Sequence, residues 1–239
     1  MRRALVTGGA SPLGAAVSRE LARAGCAVIV HAHRQLERAE ALCDEIRGAG
    51  GVAEAFGCDL GDAGATEVAL GPVLAGGAVQ VVVHNAGSHD DVPMAGMSLA
   101  QWRGPIESSL TGFYSVLRPL LLPMMGTRWG RVVAVSSVSA IVGNRGQVAY
   151  AAAKAGLVGA VRSLAKEVAT RGITVNAVLP GIIASPAVDA VMDAKRIAEV
   201  VPMRRAGTAE EVAALIGFLS GDRAGYITGQ AISINGGMA

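Results

Sequence analysis

Aromatic side chains are scarce, only 3% of 239 residues, so a core must be built from Ala, Val, Leu and Ile. Cysteine is nearly missing too. Cys26, Cys43 and Cys58 are odd in number and lack metal-ligand spacing, which fits small residues of a reducing cytosol and no metal site. Charge of one sign is lacking: a net +2 implies neither a nucleic-acid nor a membrane partner. No apolar run approaches about 18 residues, so no segment is expected to span a membrane. Met1-Arg2-Arg3 is followed only by Ala4-Leu5-Val6 before Thr7-Gly8-Gly9, too short for the apolar part of a signal peptide, and a cytoplasmic location is expected. The 32 glycines show no G-X-Y period, which excludes collagen and points to tight turns and close backbone approach. With 51% hydrophobic and 17% charged residues, the chain is not a disordered one. Its length suffices to bury roughly 70% of the unfolded surface without disulfide or metal.

Short Val- and Ile-rich runs alternate with longer Ala-rich stretches of helical pattern. The pattern predicts strands at 4–7, 27–32, 52–56, 79–84, 130–136, 173–179 and 231–234. Helices are predicted at 13–24, 35–47, 63–75, 148–171 and 209–219, with 99–125 largely helical despite Gly and Pro and another helix near 186–200. The strands are continuous apolar runs, as expected of strands buried on both faces of a parallel sheet. Strand–helix alternation over the whole length predicts a doubly wound α/β fold in one domain, 1–239, without linker or repeat.

Thr7-Gly8-Gly9-Ala10-Ser11-Pro12-Leu13-Gly14 lies between the first strand and the first helix. Such a turn aims backbone N–H groups and a helix N-terminus at one point, which suits a pyrophosphate. A glycine-rich turn without a ligand would read the same way. The second strand ends Val30-His31-Ala32-His33-Arg34, with no carboxylate for a ribose diol, which favours NADP over NAD. His33 and Arg34 could equally open a solvated helix. Asp59-Leu60, after strand three, places a carboxylate either near an adenine or in a turn.

Tyr150-Ala151-Ala152-Ala153-Lys154 carries the sharpest chemistry. Residues four apart share a helix face, so Lys154 stands beside the Tyr150 phenol and its cation is expected to lower the Tyr pKa. A Tyr so tuned can donate a proton to a carbonyl oxygen or take one back. Ser137, at the end of strand five, places a hydroxyl at the carboxyl edge of the sheet, where such folds bind ligands. Tyr-x-x-x-Lys alone is a frequent accident; following a Gly-rich loop and Ser137 in this order, it is not.

In these residues the chain resembles the short-chain dehydrogenase/reductase family, and within it the 3-oxoacyl-(acyl carrier protein) reductases. The resemblance runs over essentially the whole length: Thr7–Gly14, Asp59-Leu60, His84-Asn85-Ala86-Gly87, Ser137, Tyr150 with Lys154, Asn176, Pro180-Gly181, Tyr226-Ile227-Thr228-Gly229-Gln230 and Asn235-Gly236-Gly237. It implies a Rossmann-like sheet of seven strands, with a cofactor half at about 1–130 and catalytic and substrate elements at about 131–239. It implies hydride transfer from NADPH to a 3-ketoacyl thioester, with Tyr150 as the acid, Lys154 on the nicotinamide ribose and Ser137 orienting the carbonyl. Asn85, Ala86 and Gly87 would pass along the cofactor, and the Ile183 backbone would meet the carboxamide. It further implies a homotetramer. Arg128 and Arg171 would contact an acidic acyl carrier protein beside the active-site mouth, although both could be simple solubilising charge. The segments His89-Asp90-Asp91-Val92-Pro93-Met94-Ala95-Gly96-Met97 and Thr127-Arg128-Trp129-Gly130-Arg131 resemble reductases of type II polyketide systems that make aryl polyenes.

The chain departs from the family pattern at several positions. Pro12 replaces a glycine, acceptable at a first helical position but without an N–H for phosphate. Ser11 stands where many NADPH-using relatives carry Arg. His84 replaces the first Asn of Asn-Asn-Ala-Gly, keeping a polar group and introducing possible pH sensitivity. Ser109 stands at the family's catalytic Asn, whose water links the active-site Lys to solvent; Ser still offers a donor and acceptors. Two further readings follow: reduction or oxidation of a free alcohol, sugar or other small carbonyl compound, and a weakly active, cofactor-binding partner subunit. The Ala- and Met-rich stretch Ala184–Met203 is expected to cover the site.

Overall fold

The computed structural model describes residues 1–239. The Val- and Ile-rich runs become seven strands: β1 (Arg3–Thr7), β2 (Ala27–Ala32), β3 (Val52–Gly57), β4 (Val81–His84), β5 (Gly130–Val135), β6 (Ile173–Pro180) and β7 (Ala231–Ile234). They form a single parallel sheet in the order β3-β2-β1-β4-β5-β6-β7. Every residue of β4, β5 and β6 is buried, whereas β3 and β7, at the sheet edges, are partly exposed. The strand order reverses between β1 and β4, which opens a crevice at their carboxyl ends.

Helices cover both faces. On one lie α1 (Pro12–Arg23), α2 (Leu36–Gly48) and α10 (Ala209–Leu219), packed through Val17, Leu21, Ile46 and Ile216. On the other lie α3 (Ala63–Ala75), α5 (Gly112–Gly126) and α7 (Val148–Val168), packed through Leu70, Leu120, Leu157 and Val161. Both cores are aliphatic; Phe113 is the one buried Phe, Tyr or Trp. No helix is long and apolar enough to cross a membrane.

The predicted helix over 99–125 is continuous but changes pitch. It runs as α4 (Leu99–Pro105), capped by a reciprocal Ser98–Gln101 pair, then as a π turn over Ile106–Thr111, then as α5. At Gly112 an added Cβ would lie 3.2 Å from Leu60 and 3.4 Å from His84, so glycine lets this helix come close to the end of β4. A short α6 (Ser139–Val142) follows β5. The helix predicted near 186–200 is two: α8 (Pro186–Asp189) and α9 (Ala194–Val200). Asp193 breaks the run because its carboxylate accepts from Arg196 N and starts a new helix.

Candidate functional site

The turn after β1 is held together by short polar contacts. Ser11 caps α1: its Oγ accepts from Gly14 N at 3.1 Å and donates to Gly8 O at 2.8 Å. Pro12 takes the first helical position, as expected. Gly8 has φ +60, the left-handed region. A Cβ on Gly14 would run into Gly8 O and lie 2.7 Å from Gly9 Cα, so α1 starts in backbone contact with the turn. Leu13 packs on the core beneath.

The end of β4 is tied to this turn. Thr7 Oγ1 accepts from Asn85 N at 3.1 Å and Ala86 N at 3.0 Å. The Asn85 amide donates back to Thr7 O, Gly8 O and Ser11 Oγ, so this side chain braces the cradle.

Beside it lies a cleft of about 1220 Å³ lined by Gly8, Ser11, His33, Arg34, Asp59 and Gly87, among others. His33 Nδ1 is 3.9 Å from Asp59 Oδ1. Asp59 Oδ1 accepts from Gly61 N at 2.9 Å, so the turn role holds while the residue also faces the cleft. Leu60 is buried against the core.

Ser137 follows β5 at the same edge, and its Oγ accepts from Ser139 N at 3.1 Å. Tyr150 and Lys154 sit on one face of α7, with Lys154 Nζ 5.6 Å from the Tyr150 ring centre. Nζ donates to Val135 O at 2.9 Å and has no carboxylate partner. Burial pulls the Lys154 ammonium down to about 8. The expected lowering of Tyr150 is not what the structure has. Burial raises the phenol, the Ser137 hydroxyl pulls it back, and Asp91 pushes it up further. Tyr150 therefore keeps its proton, the form in which a general acid begins.

Ser109 lies in the π turn, fully buried, and its Oγ has no hydrogen-bond partner. A Cβ on Gly87 would be 2.7 Å from Ser109 Oγ and 2.9 Å from Lys154 Nζ. The orphan hydroxyl and the ammonium thus converge on one point, left clear by glycine. A buried, unpaired hydroxyl costs about 1–3 kcal/mol, so the arrangement calls for a guest with a polar atom there.

His84 is also fully buried. Its Nε2 donates to Ser109 O at 2.8 Å and its Nδ1 accepts from Thr7 Oγ1 at 3.2 Å, a tautomer set by the two filled acceptor positions on Thr7. Burial and the nearby Lys154 cation push His84 down to about 3. The pH sensitivity expected of it near neutrality is therefore corrected: the ring stays neutral there and pins the π turn. Its cost appears in acid. The folded value lies below the ordinary 6.5, so its stability contribution is intact above pH 6.5 and is lost as pH falls toward 3. At pH 5 this amounts to about 2 kcal/mol. His84→Asn is expected to flatten the fall in Tm between pH 7 and pH 5; an unchanged slope in thermal scans would contradict this.

Beyond Pro180, the last residue of β6, Gly181 lies so close to Asn235 that a Cβ would come within 2.8 Å. Ala184 N donates to Gly207 O and Gly207 N to Ile182 O. Ile183 pairs with Gly207 only through these neighbours, and its own N–H and C=O take no backbone partner. They remain open for an amide-bearing ligand.

His89, Asp91 and Gln147 were not among the expected site residues. His89 stacks edge-on to Tyr150 at 6.0 Å, and Gln147 bridges Ser139 and Asp91. The signal was the His89-Asp90-Asp91 run one residue after Asn85-Ala86-Gly87.

Arg128 and Arg171 are placed elsewhere. They precede β5 and β6, and Gly172 packs against Arg128 O, so they share the amino edge of the sheet. Ser137 lies past the far end of β5, about 20 Å along the strand. Arg128 and Arg171, expected beside the active-site mouth, thus lie at the edge opposite Ser137 within one chain, because α5 and α7 run antiparallel to the strands and end there.

A family model described as Enoyl-(Acyl carrier protein) reductase matches residues 8–239. The chain is 39% identical over 236 residues to 3-oxoacyl-[acyl-carrier-protein] reductase FabG of Aggregatibacter actinomycetemcomitans, covering 98% of both chains. It is 39% identical over 242 residues to Nodulation protein G of Rhizobium sp. (strain N33), covering 100% of this chain and 97% of that one. It is 37% identical over 240 residues to FabG of Staphylococcus aureus (strain Mu50 / ATCC 700699), covering 99% and 98%.

Proposed function

The chain belongs to the short-chain dehydrogenase/reductase family, and from that premise we propose that it reduces a 3-ketoacyl thioester, held on an acyl carrier protein, to the 3-hydroxyacyl thioester with NADPH. The observation that carries this reading is the Tyr150–Lys154 pair beside Ser137, at the sheet edge that also holds the glycine cradle. When bound, a nicotinamide dinucleotide supplies the hydride.

The protein's own groups do the rest. The turn from Gly8 to Gly14 and the start of α1 receive the pyrophosphate, and the Ile183 backbone receives the carboxamide. Tyr150 donates its proton to the ketone oxygen, which Ser137 also holds by its hydroxyl. The Lys154 cation offsets the phenolate charge left on Tyr150. Ser109 Oγ and Lys154 hold a water between them, through which Tyr150 regains its proton.

His33 and Arg34, with no carboxylate at the end of β2, support a 2′-phosphate on the cofactor. Arg34→Asp is expected to raise the KM for NADPH at least about tenfold while changing that for NADH far less. Equal KM shifts for the two cofactors would remove Arg34 from this role.

Arg128 and Arg171 fit an acidic carrier docked on one subunit of a homotetramer and delivering its acyl arm to another subunit's site. The double variant Arg128→Ala/Arg171→Ala is expected to raise the KM for carrier-bound substrate and leave that for a small-thiol thioester unchanged. Equal effects on both substrates would sink the docking role.

The deciding experiment follows NADPH consumption with acetoacetyl and crotonyl thioesters, each on a carrier protein and on a small thiol. Turnover of acetoacetyl thioester, faster on the carrier, is the expected result. Turnover of crotonyl thioester alone would make the chain an enoyl reductase. No turnover with tight NADPH binding would leave another carbonyl substrate or a non-catalytic subunit.

A further inference from the structure

Between β4 and α4 the chain passes beside the Tyr150 ring and is fastened there. Val92 N donates to Gly146 O at 2.9 Å. Gln147 Nε2 donates to Asp91 Oδ2 at 2.8 Å, and Gln147 Oε1 accepts from Ser139 Oγ at 3.0 Å. Ser139 N in turn donates to Ser137 Oγ. A string of contacts thus runs from the Ser137 hydroxyl to Asp91. Asp91 Oδ1 lies 3.4 Å from His89 Nδ1, and the His89 ring meets the Tyr150 ring edge-on at 6.0 Å and 76°. The neighbouring Asp90 is turned away, accepting from Gln101 Nε2 at 3.0 Å. The pairing with Asp91 leaves His89 Nε2 with no protein partner, on a side chain 64% exposed beside the catalytic phenol.

We infer that His89 binds substrate: with its Nδ1 turned toward Asp91, the ring offers Nε2 to the thioester carbonyl of a molecule whose ketone oxygen lies on Tyr150 and Ser137. The inference rests on the 3-ketoacyl thioester reading above. In such a substrate the two carbonyl carbons are separated by a single methylene, so a donor next to the phenol is where the second oxygen falls. A ketone without a second carbonyl leaves that donor unused, and a site built around a polar contact discriminates on that basis. Asp91 acts through His89, holding the ring's orientation, and is a positioning residue.

The test compares the full-length protein with His89→Phe, His89→Gln and Asp91→Asn, using NADPH and the N-acetylcysteamine thioester of acetoacetate. Phe keeps the edge-on ring and removes the donor; Gln restores an N–H. His89→Phe is expected to raise KM about tenfold with kcat within about twofold, the effect of one lost hydrogen bond to bound substrate. His89→Gln is expected to recover most of that loss, and Asp91→Asn to raise KM less than Phe does. NADPH titrations should match for all four proteins. A His89→Phe KM within about twofold of the wild type, or a loss confined to kcat, overturns the inference. A wild type that turns over other carbonyl compounds but not this thioester overturns the parent reading, and this one with it.

Discussion

Tyr150→Phe is expected to bind NADPH as tightly as the wild type and to lose roughly 10²–10⁴-fold in turnover. The substitution removes one oxygen. The ring keeps its edge contact with His89 and its place above Lys154, so the site's shape survives. Only the proton donor goes. Fluorescence titration of NADPH alongside steady-state rates separates the two effects, and equal turnover would take Tyr150 out of the mechanism. The pH dependence follows from the same pair. Burial keeps the phenol protonated, while Lys154, at about 8, loses its charge as pH rises through that value. Reduction should decline above about pH 8, and a flat profile to pH 10 would contradict the role of the cation.

Gly14→Ala is expected to be nearly as damaging, by another route. The new methyl would overlap Gly8 O and sit 2.7 Å from Gly9 Cα. Neither is the end of a flexible side chain; both belong to backbone that Asn85 and Ser11 already hold. Relief requires α1 to back away from the turn, which takes the helix N-terminus off the phosphate position. Overpacking of this kind costs about 1–3 kcal/mol in stability, and NADPH affinity should fall at least about a hundredfold. Gly71→Ala serves as the control. It lies inside α3, where an added Cβ meets nothing within 4 Å, and it should leave binding alone and raise Tm slightly. Wild-type NADPH binding by Gly14→Ala would show that the cradle tolerates a side chain.

The sheet was legible because its central strands are buried on both faces and so read as unbroken Val and Ile runs. Helix breaks were harder. Asp193 as the start of a helix is one carboxylate in a polar stretch, and nothing local marks it. The roles of Ser137, Tyr150 and Lys154 followed from order along the chain and from resemblance. Their electrostatics did not. The pKa of Tyr150 depends on how deeply the fold buries it, and burial, not Lys154, sets its direction. His84 looked like a titrating group because its sequence neighbours say nothing of the closed space around it. The edge at which Arg128 and Arg171 sit was not legible because a motif match carries no direction: each follows a helix that runs back to the far edge of the sheet. His89 went unweighed because its partner ring is sixty-one positions away in the chain.

The π turn over Ile106–Thr111 makes the stretch Leu99–Gly126 sensitive to length more than to composition. A wide turn carries one residue beyond an α-helical register, which is about 100° of rotation. Removing a single residue there would close the turn into an α-helix with both flanks in register, whereas removing one just beyond it would swing the rest of α5 around its axis. The first would turn the Ser109 carbonyl away from His84, and the second would take Val116 and Leu120 out of the core together. Exchanging one exposed side chain for another along the same stretch disturbs none of this. Viable variants of this segment should therefore differ freely in exposed side chains and hardly at all in residue count.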